Sequence, residues 1–228
     1  DIAAALRGEL GGGQGVLHPG IFIAFEGGEG SGKSTQVKLL ESYLESIGES
    51  VLLTHEPGET ELGIKLRQIL LAPETGDISP RSEALLYAAD RANHVEKLIK
   101  PALNEGSVVI TDRYTDSSIA YQGAGRILQP AEIARISRWA TETLYPDLTL
   151  VLDIPAEIGL SRFVERDRLE AEPLAFHERV RQEFLHLAKS DPERYLIVDA
   201  RLTIEEIANL IKDRINLIAK LKINKKKK

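Results

Sequence analysis

The sequence predicts a three-layer α/β domain, a five-stranded parallel sheet covered by helices on both faces. Three observations carry this. Strands of four to seven residues alternate with longer helical stretches through the middle of the chain. The strands are continuous apolar runs, the pattern of a sheet buried on both sides. A glycine-rich turn joins the first strand to the first helix.

The first strand is Ile21–Glu26, and the helix after it spans Lys33–Ser46, with Val37, Leu40 and Leu44 on one face. Val51–Thr54 is the second strand. A helix over Glu61–Leu71 follows, marked by Leu62, Leu66 and Ile69. Ser79-Pro80 opens a long helix running to Asn104, with serine as cap and proline in the first turn. Pro101 should kink or end it. Ser107–Thr111 is the third strand. Pro130 starts a helix to about Leu144, Leu148–Ile154 is the fourth strand, and Pro155 starts the next helix. Leu174–Lys189 is helical and Tyr195–Val198 is the last strand. Thr203-Ile204-Glu205-Glu206 spells a capping box ahead of the final helix.

No repeat or linker interrupts residues 21–218, which read as one domain. Residues 1–20 hold six glycines without helical or strand period and read as a flexible N-terminal extension. Residues 219–228 form a basic C-terminal tail that closes on four lysines, a run expected to be solvated.

Composition excludes several classes. The 228 residues contain no cysteine, which removes disulfide frameworks, thiolate metal sites and cysteine nucleophiles. The net charge of −6 disfavours general nucleic-acid binding. No apolar run reaches the roughly 20 residues of a membrane span, and the N-terminal stretch does not read as a signal peptide. A cytoplasmic location is expected.

The strongest signal is Gly27-Gly28-Glu29-Gly30-Ser31-Gly32-Lys33-Ser34, which fits the phosphate-loop pattern between a buried strand and a helix. A triphosphate needs several close donors. Backbone N–H groups supply them where no Cβ blocks approach, and the glycines clear that space. Lys33 can reach the β- and γ-phosphates, the Ser34 hydroxyl can ligate Mg²⁺, and Thr35 follows on the same turn. Val108–Asp112 is an apolar strand ending in a carboxylate, the usual spelling of the acid beside the magnesium. Arg113, directly after it, is placed for bidentate phosphate contact. The expected architecture is therefore a P-loop NTPase fold. Neither Asn-Lys-x-Asp nor Asp-x-x-Gly occurs, which lowers a guanine-nucleotide switch. A small-molecule kinase and an ATP-driven switch remain.

Tyr87 and Arg91 lie four apart on the long helix and share a face. By spacing alone, the favoured reading is that Tyr87 is a core residue and Arg91 a surface ion-pair partner of Glu83 or Glu96. Three fragments shift the balance: His55-Glu56-Pro57-Gly58-Glu59-Thr60 after the second strand, Asp112-Arg113-Tyr114 after the third, and Ser117-Ser118-Ile119-Ala120-Tyr121-Gln122-Gly123. With Phe25-Glu26-Gly27 and the phosphate loop, this set closely resembles the thymidylate kinase family, from about Ile21 to the last helix.

The resemblance implies phosphorylation of dTMP by ATP with Mg²⁺, and a homodimer. It implies that Lys33 and the loop amides hold the ATP phosphates, and that Ser34 and Asp112 serve the metal. Arg67 would grip the acceptor phosphate and Arg113 would bridge acceptor and donor. Tyr87 would stack on thymine and Arg91 reach its O4. Pro57, Ser118, Tyr121 and Gln122 would close around base and sugar, with Tyr121 crowding the 2′ position. Glu29 would lie near the 3′-hydroxyl. Because that loop position is acidic here, the extra positive charge should come from a lid at about residues 162–173. Arg162 and Arg166, four apart on an expected helix face, are the candidates, Arg166 first, with Arg168 nearby. The chain departs from the pattern at His55 and Glu59 and has a short lid. A monophosphate kinase of relaxed base specificity, or a non-kinase ATP switch, are the alternatives.

Overall fold

The computed structural model describes residues 19–226, with side chains to Ile218. Residues 1–18 of the expected extension and the side chains of the basic tail lie outside the described residues.

Strands β1 (Ile21–Glu26), β2 (Val51–His55), β3 (Val108–Asp112), β4 (Leu148–Asp153) and β5 (Tyr195–Asp199) make one parallel sheet in the order β2-β3-β1-β4-β5. Every bound lies within one residue of the sequence reading. The chain leaves β1 toward β2 on one side and leaves β4 toward β5 on the other. Adjacent strands whose exits diverge open a crevice at their carboxyl ends, where ligands of such sheets sit.

Both faces of β1 are apolar, so both are covered. Ile23 and Phe25 pack with Val37, Leu40 and Leu44 of α1 (Lys33–Ser46) and with Ile207, Ile211 and Ile215 of α9 (Ile204–Lys226). Phe22 and Ala24 face Val95, Ile99 and Leu103. Each fully buried side chain of this size contributes roughly 1.5–3 kcal/mol. The capping box opening α9 forms: Glu206 Oε2 accepts from Thr203 N at 2.8 Å, and Thr203 Oγ1 from Glu206 N at 3.2 Å.

Helix α2 (Glu61–Leu71) has the expected bounds but not the expected face. Gly63, Leu66 and Leu70 are buried, whereas Leu62 and Ile69 are exposed. The long helix keeps its path through Pro101. It comprises α3 (Pro80–His94), a wide π turn over Val95–Ile99, and α4 (Lys100–Asn104). A proline ring collides with the carbonyl four residues back in a regular helix. The wider turn just before Pro101 makes the room, so no break is needed. Thr115–Ser118 form a short helix, α5, continued by a second π turn over Ile119–Gly125 that the sequence reading left unassigned. Helix α6 (Pro130–Ala140) ends four residues before Leu144, where Glu142 and Thr143 turn left-handed.

The largest departure follows β4. Helix α7 (Ala156–Leu160) stops early, and no helix forms until α8 (Leu174–Ser190). Arg162 and Arg166 therefore do not share a helix face. Local polar groups take over the backbone. Ser161 Oγ donates to the Ile158 carbonyl at 2.7 Å. Asp167 Oδ1 accepts from Leu169 N and Glu170 N at 2.9 and 2.8 Å. Such side-chain bonds offer an alternative to helix continuation.

Candidate active site

The phosphate loop wraps from β1 to α1 at the crevice. Two of its glycines are required by the protein's own backbone. A Cβ at Gly27 would stand 2.4 Å from the Leu152 carbonyl oxygen, and one at Gly30 would stand 2.2 Å from that of Gly159. Gly28 and Gly32 face open space, where a phosphate would approach. The Lys33 ammonium is buried beneath the loop and donates to the carbonyls of Gly27 (3.1 Å) and Gly28 (3.0 Å) and to Ser31 Oγ (3.3 Å). Burial and the neighbouring Arg113 lower its pKa. Ser34 and Thr35 are exposed on the first turn of α1.

Arg113 leaves β3 with φ of 73°, in the left-handed region. Its backbone is held from both sides: its N–H donates to Phe25 O at 2.9 Å, and its carbonyl accepts from Thr111 Oγ1 at 2.8 Å. Glu26, fully buried, secures the next turn by accepting from Tyr114 N (2.8 Å), Ser117 N (3.1 Å) and Ser117 Oγ (2.5 Å). A side chain from a distant strand thus caps the start of α5. Burial and the nearby Asp116 push the Glu26 carboxyl up to about 8. The Arg113 guanidinium donates to the Gly27 carbonyl (3.0 Å), Ser117 Oγ (3.2 Å) and Glu29 Oε1 (2.7 Å), and lies 5.0 Å over the Tyr121 ring. Tyr121 Oη donates to the same Glu29 oxygen at 2.6 Å. Burial alone would raise the Glu29 pKa, but Arg113, Lys33 and Tyr121 outweigh it and hold the carboxyl low.

Beside this group lies a cavity of about 150 Å³. Glu29, Pro57, Arg67, Tyr87, Arg113, Tyr121 and Gln122 of the anticipated residues all line it. Arg67 comes from α2, Tyr87 from α3, and Tyr121 and Gln122 from the π turn after α5. Arg67 is exposed and donates to the Pro57 carbonyl at 2.8 Å. Arg91 and Ser118 lie just beneath. The Arg91 guanidinium donates to Glu56 Oε2 (2.7 Å), Ser118 Oγ (2.9 Å) and the Tyr114 carbonyl (2.9 Å), while His94 Nδ1 takes the other Glu56 oxygen at 2.8 Å. Neither Glu83 nor Glu96 pairs with Arg91. Glu29 and Arg113 thus join the phosphate loop to a cavity that presents an aromatic ring and two arginines.

The sequence profile of the thymidylate kinase family matches residues 25–211. The chain belongs to the thymidylate kinase family. A thymidylate kinase of Clavibacter michiganensis subsp. michiganensis is 55% identical over 199 residues, 86% of this chain and 94% of that one. One of Cutibacterium acnes is 50% identical over 196 residues, covering 86% and 96%. The crystal structure of thymidylate kinase from Ehrlichia chaffeensis superposes with a TM-score of 0.67 at 35% identity, covering 78% of this chain and 92% of that one. The two departures from the family's pattern answer each other, since His55 Nδ1 lies 2.5 Å from Glu59 Oε2.

The lid arginines separate in position. Arg162 donates to the Gly30 carbonyl of the phosphate loop at 2.5 Å, whereas Arg166 donates back to Leu160 O at 3.3 Å. Arg168 is held away from the loop by Glu83 and by the Leu70 carbonyl (2.7 Å). Cavity-lining residues outside the anticipated set are Glu56, Leu71, Ser117, Asp167, Leu169 and Glu170. Glu56, Ser117 and the lid sequence Asp167-Arg168-Leu169-Glu170 are visible as motif fragments. Leu71 carries no distinguishing signal.

Proposed function

We propose that this protein is an ATP-dependent kinase that transfers the γ-phosphoryl group of ATP to the 5′-phosphate of dTMP, giving dTDP and ADP. The observation that carries this is the convergence of Arg67, Tyr87, Arg113 and Tyr121 on one cavity against Glu29 of the phosphate loop, in a chain of this family. The bond between the β,γ-bridging oxygen and the γ-phosphorus breaks, and a new bond forms from an acceptor-phosphate oxygen. That oxygen is already anionic, so no general base is required. The protein contributes position and charge.

Lys33 and the loop amides hold the donor phosphates, with the ammonium turning from the Gly27 and Gly28 carbonyls onto them. Arg67 holds the acceptor phosphate. Arg113, between the loop and the cavity, spans the two anions and is kept charged, since Glu29 and its other acidic neighbours outweigh the effect of burial. Arg162, already on the loop, supplies the lid's positive charge more directly than Arg166. Tyr87 stacks on the base, Gln122 meets its edge, and Glu29 with Tyr121 borders the sugar. Pro57 walls the slot, while Arg91 and Ser118 brace it from below. Ser34 and Asp112 fit a Mg²⁺ role: Ser34 is exposed on the first turn of α1, and Asp112, at the end of β3, lies close enough to the Lys33 ammonium to act on its charge, as suits an ion carried largely by phosphates. When bound, Mg²⁺ supplies charge neutralisation on the phosphate oxygens.

The protein acts as a homodimer in the cytoplasm. In support of the dimer, α3 and α6 present an apolar groove of Leu85, Ala88, Ala89, Ile136 and Trp139. The deciding experiment is a coupled ATP-consumption assay with dTMP, dUMP and UMP as acceptors. Preference for dTMP is expected. Equal use of UMP or acceptor-independent hydrolysis would overturn the assignment.

A further inference from the structure

Glu83 is wholly buried on α3, one turn before Tyr87, and does not line the cavity. Nothing in the phosphoryl transfer uses it. Yet four donors converge on its carboxylate. Gln122 Nε2 and Arg126 Nε reach Oε1, each at 3.1 Å, while an Arg126 terminal nitrogen (3.1 Å) and Arg168 reach Oε2. Burial pushes its pKa up, but the bonds from Arg126, Arg168 and Gln122 win and keep it ionised.

Gln122 is 1% exposed and lines the cavity. Among the described residues its side chain makes one hydrogen bond, the one to Glu83. A primary amide can turn either end toward a partner, and its two ends have opposite chemistry. An ionised carboxylate only accepts. The NH₂ end must therefore face Glu83, and the carbonyl oxygen is left for the cavity. Neutral thymine and uracil carry a hydrogen on N3. Cytosine has a lone pair there and would meet that oxygen with repulsion.

We propose that Glu83 is a positioning residue that sets base specificity: it locks the Gln122 amide with its acceptor toward the base edge, admitting pyrimidines with N3–H and refusing cytosine. This rests on the reading that the base lies against Tyr87 and Gln122. In Glu83→Gln the two arginines claim the single remaining oxygen. The new NH₂ then faces Gln122, whose amide turns and offers NH₂ to the cavity.

The test compares kcat/KM for dTMP, dUMP and dCMP in the native protein, Glu83→Gln, Gln122→Ala and the double variant. Glu83→Gln should lower the preference for dTMP over dCMP roughly tenfold or more, chiefly through KM. It should leave the dTMP-to-dUMP ratio within about twofold, because both bases keep N3–H. A merely structural Glu83 would depress all three acceptors by one factor, and that result overturns the proposal. Gln122→Ala should remove the same part of the preference, and adding Glu83→Gln to it should change the ratio no further. Should Gln122→Ala leave the preference intact, the base site itself is misplaced. Should Gln122→Ala lower it while Glu83→Gln does not, the base site stands and the role of Glu83 falls. If Glu83→Gln does not fold, the paired Glu83→Gln/Arg168→Gln removes one stranded charge and is read the same way.

Discussion

Arg113 touches both halves of the site, so its removal tests the mechanism most directly. Arg113→Ala deletes the bonds to the Gly27 carbonyl (3.0 Å) and Glu29 (2.7 Å) and the cation over Tyr121. Alanine inherits the left-handed backbone, so that strain is unchanged. Glu29 keeps the Tyr121 hydroxyl and the charge of Lys33, so the ground state survives. What disappears is the guanidinium proposed to span the donor and acceptor phosphates. Loss of one preorganised charge contact in a closed site costs about 2.7–4 kcal/mol of barrier, or 10²–10³ in kcat. Arg113→Lys should recover only part of this, because an ammonium cannot span two acceptors as a planar fork does. A coupled assay gives kcat, and a fluorescent ATP analogue gives donor affinity. Donor binding should change little, since Lys33 and the loop amides remain. A kcat within about threefold of native would remove Arg113 from the transition state.

The other predictions concern the scaffold. Gly30→Ala places a methyl 2.2 Å from the Gly159 carbonyl at a φ of +65°, and should lower Tm by several degrees, at about 2–4 °C per kcal/mol for a chain this size. Gly28→Ala meets nothing within 4 Å and should leave Tm in place; equal losses in the two variants would refute the packing argument. Glu26, raised from 4.5 to about 8, binds its proton more tightly when folded. Its stabilising contribution is complete below pH 4.5 and disappears as pH rises through 8. Glu26→Gln should therefore gain stability relative to native between pH 5 and pH 9 in urea unfolding, and a constant difference would refute the buried proton. Trp139 is 82% exposed in the α3–α6 groove. Trp139→Glu should shift the sedimentation mass from twice 25.2 kDa to the single value, and an unaltered dimer would move the interface elsewhere.

What the sequence revealed was local, and what it hid was regular structure with an irregular period or a partner far along the chain. The strand, phosphate loop and helix of residues 21–46 are written contiguously, and they folded as read. The segment from Ile119 to Gly125 was invisible as a helix because its turn is of π type, and its run of small residues and glycines carries no 3.6-residue apolar repeat. The lid arginines had helical spacing, but Ser161 and Asp167 satisfy the backbone locally and end the helix first. Arg91 had two acidic neighbours within reach on its own helix, yet its partner is Glu56, 35 residues away. Glu26 and Glu83 likewise owe their importance to burial and to partners as distant as Ser117 and Arg168. Local pattern does not encode such pairs.

One regularity among those distant contacts bears on how the site turns over. Several of its cations rest on neutral oxygens: Lys33 on the Gly27 and Gly28 carbonyls, Arg67 on Pro57, Arg162 on Gly30. A phosphate oxygen carries charge and a carbonyl does not, so exchanging one for the other favours the ligand without first breaking an ion pair. The side chains are already within the loop's reach, so little reorganisation is needed when the phosphates arrive. Arg113, on the cavity wall, is instead paired with Glu29 at 2.7 Å, and Arg91 with Glu56 at 2.7 Å. Glu29 also holds Tyr121 at the cavity wall. In the proposed reaction the guanidinium is drawn toward the phosphates while that carboxylate stays satisfied by Tyr121 and Lys33. On that reading one acidic residue of the phosphate loop couples the proposed donor and acceptor seats. An arginine at that loop position would break the coupling, because it would repel Arg113 and leave the Tyr121 hydroxyl without its acceptor.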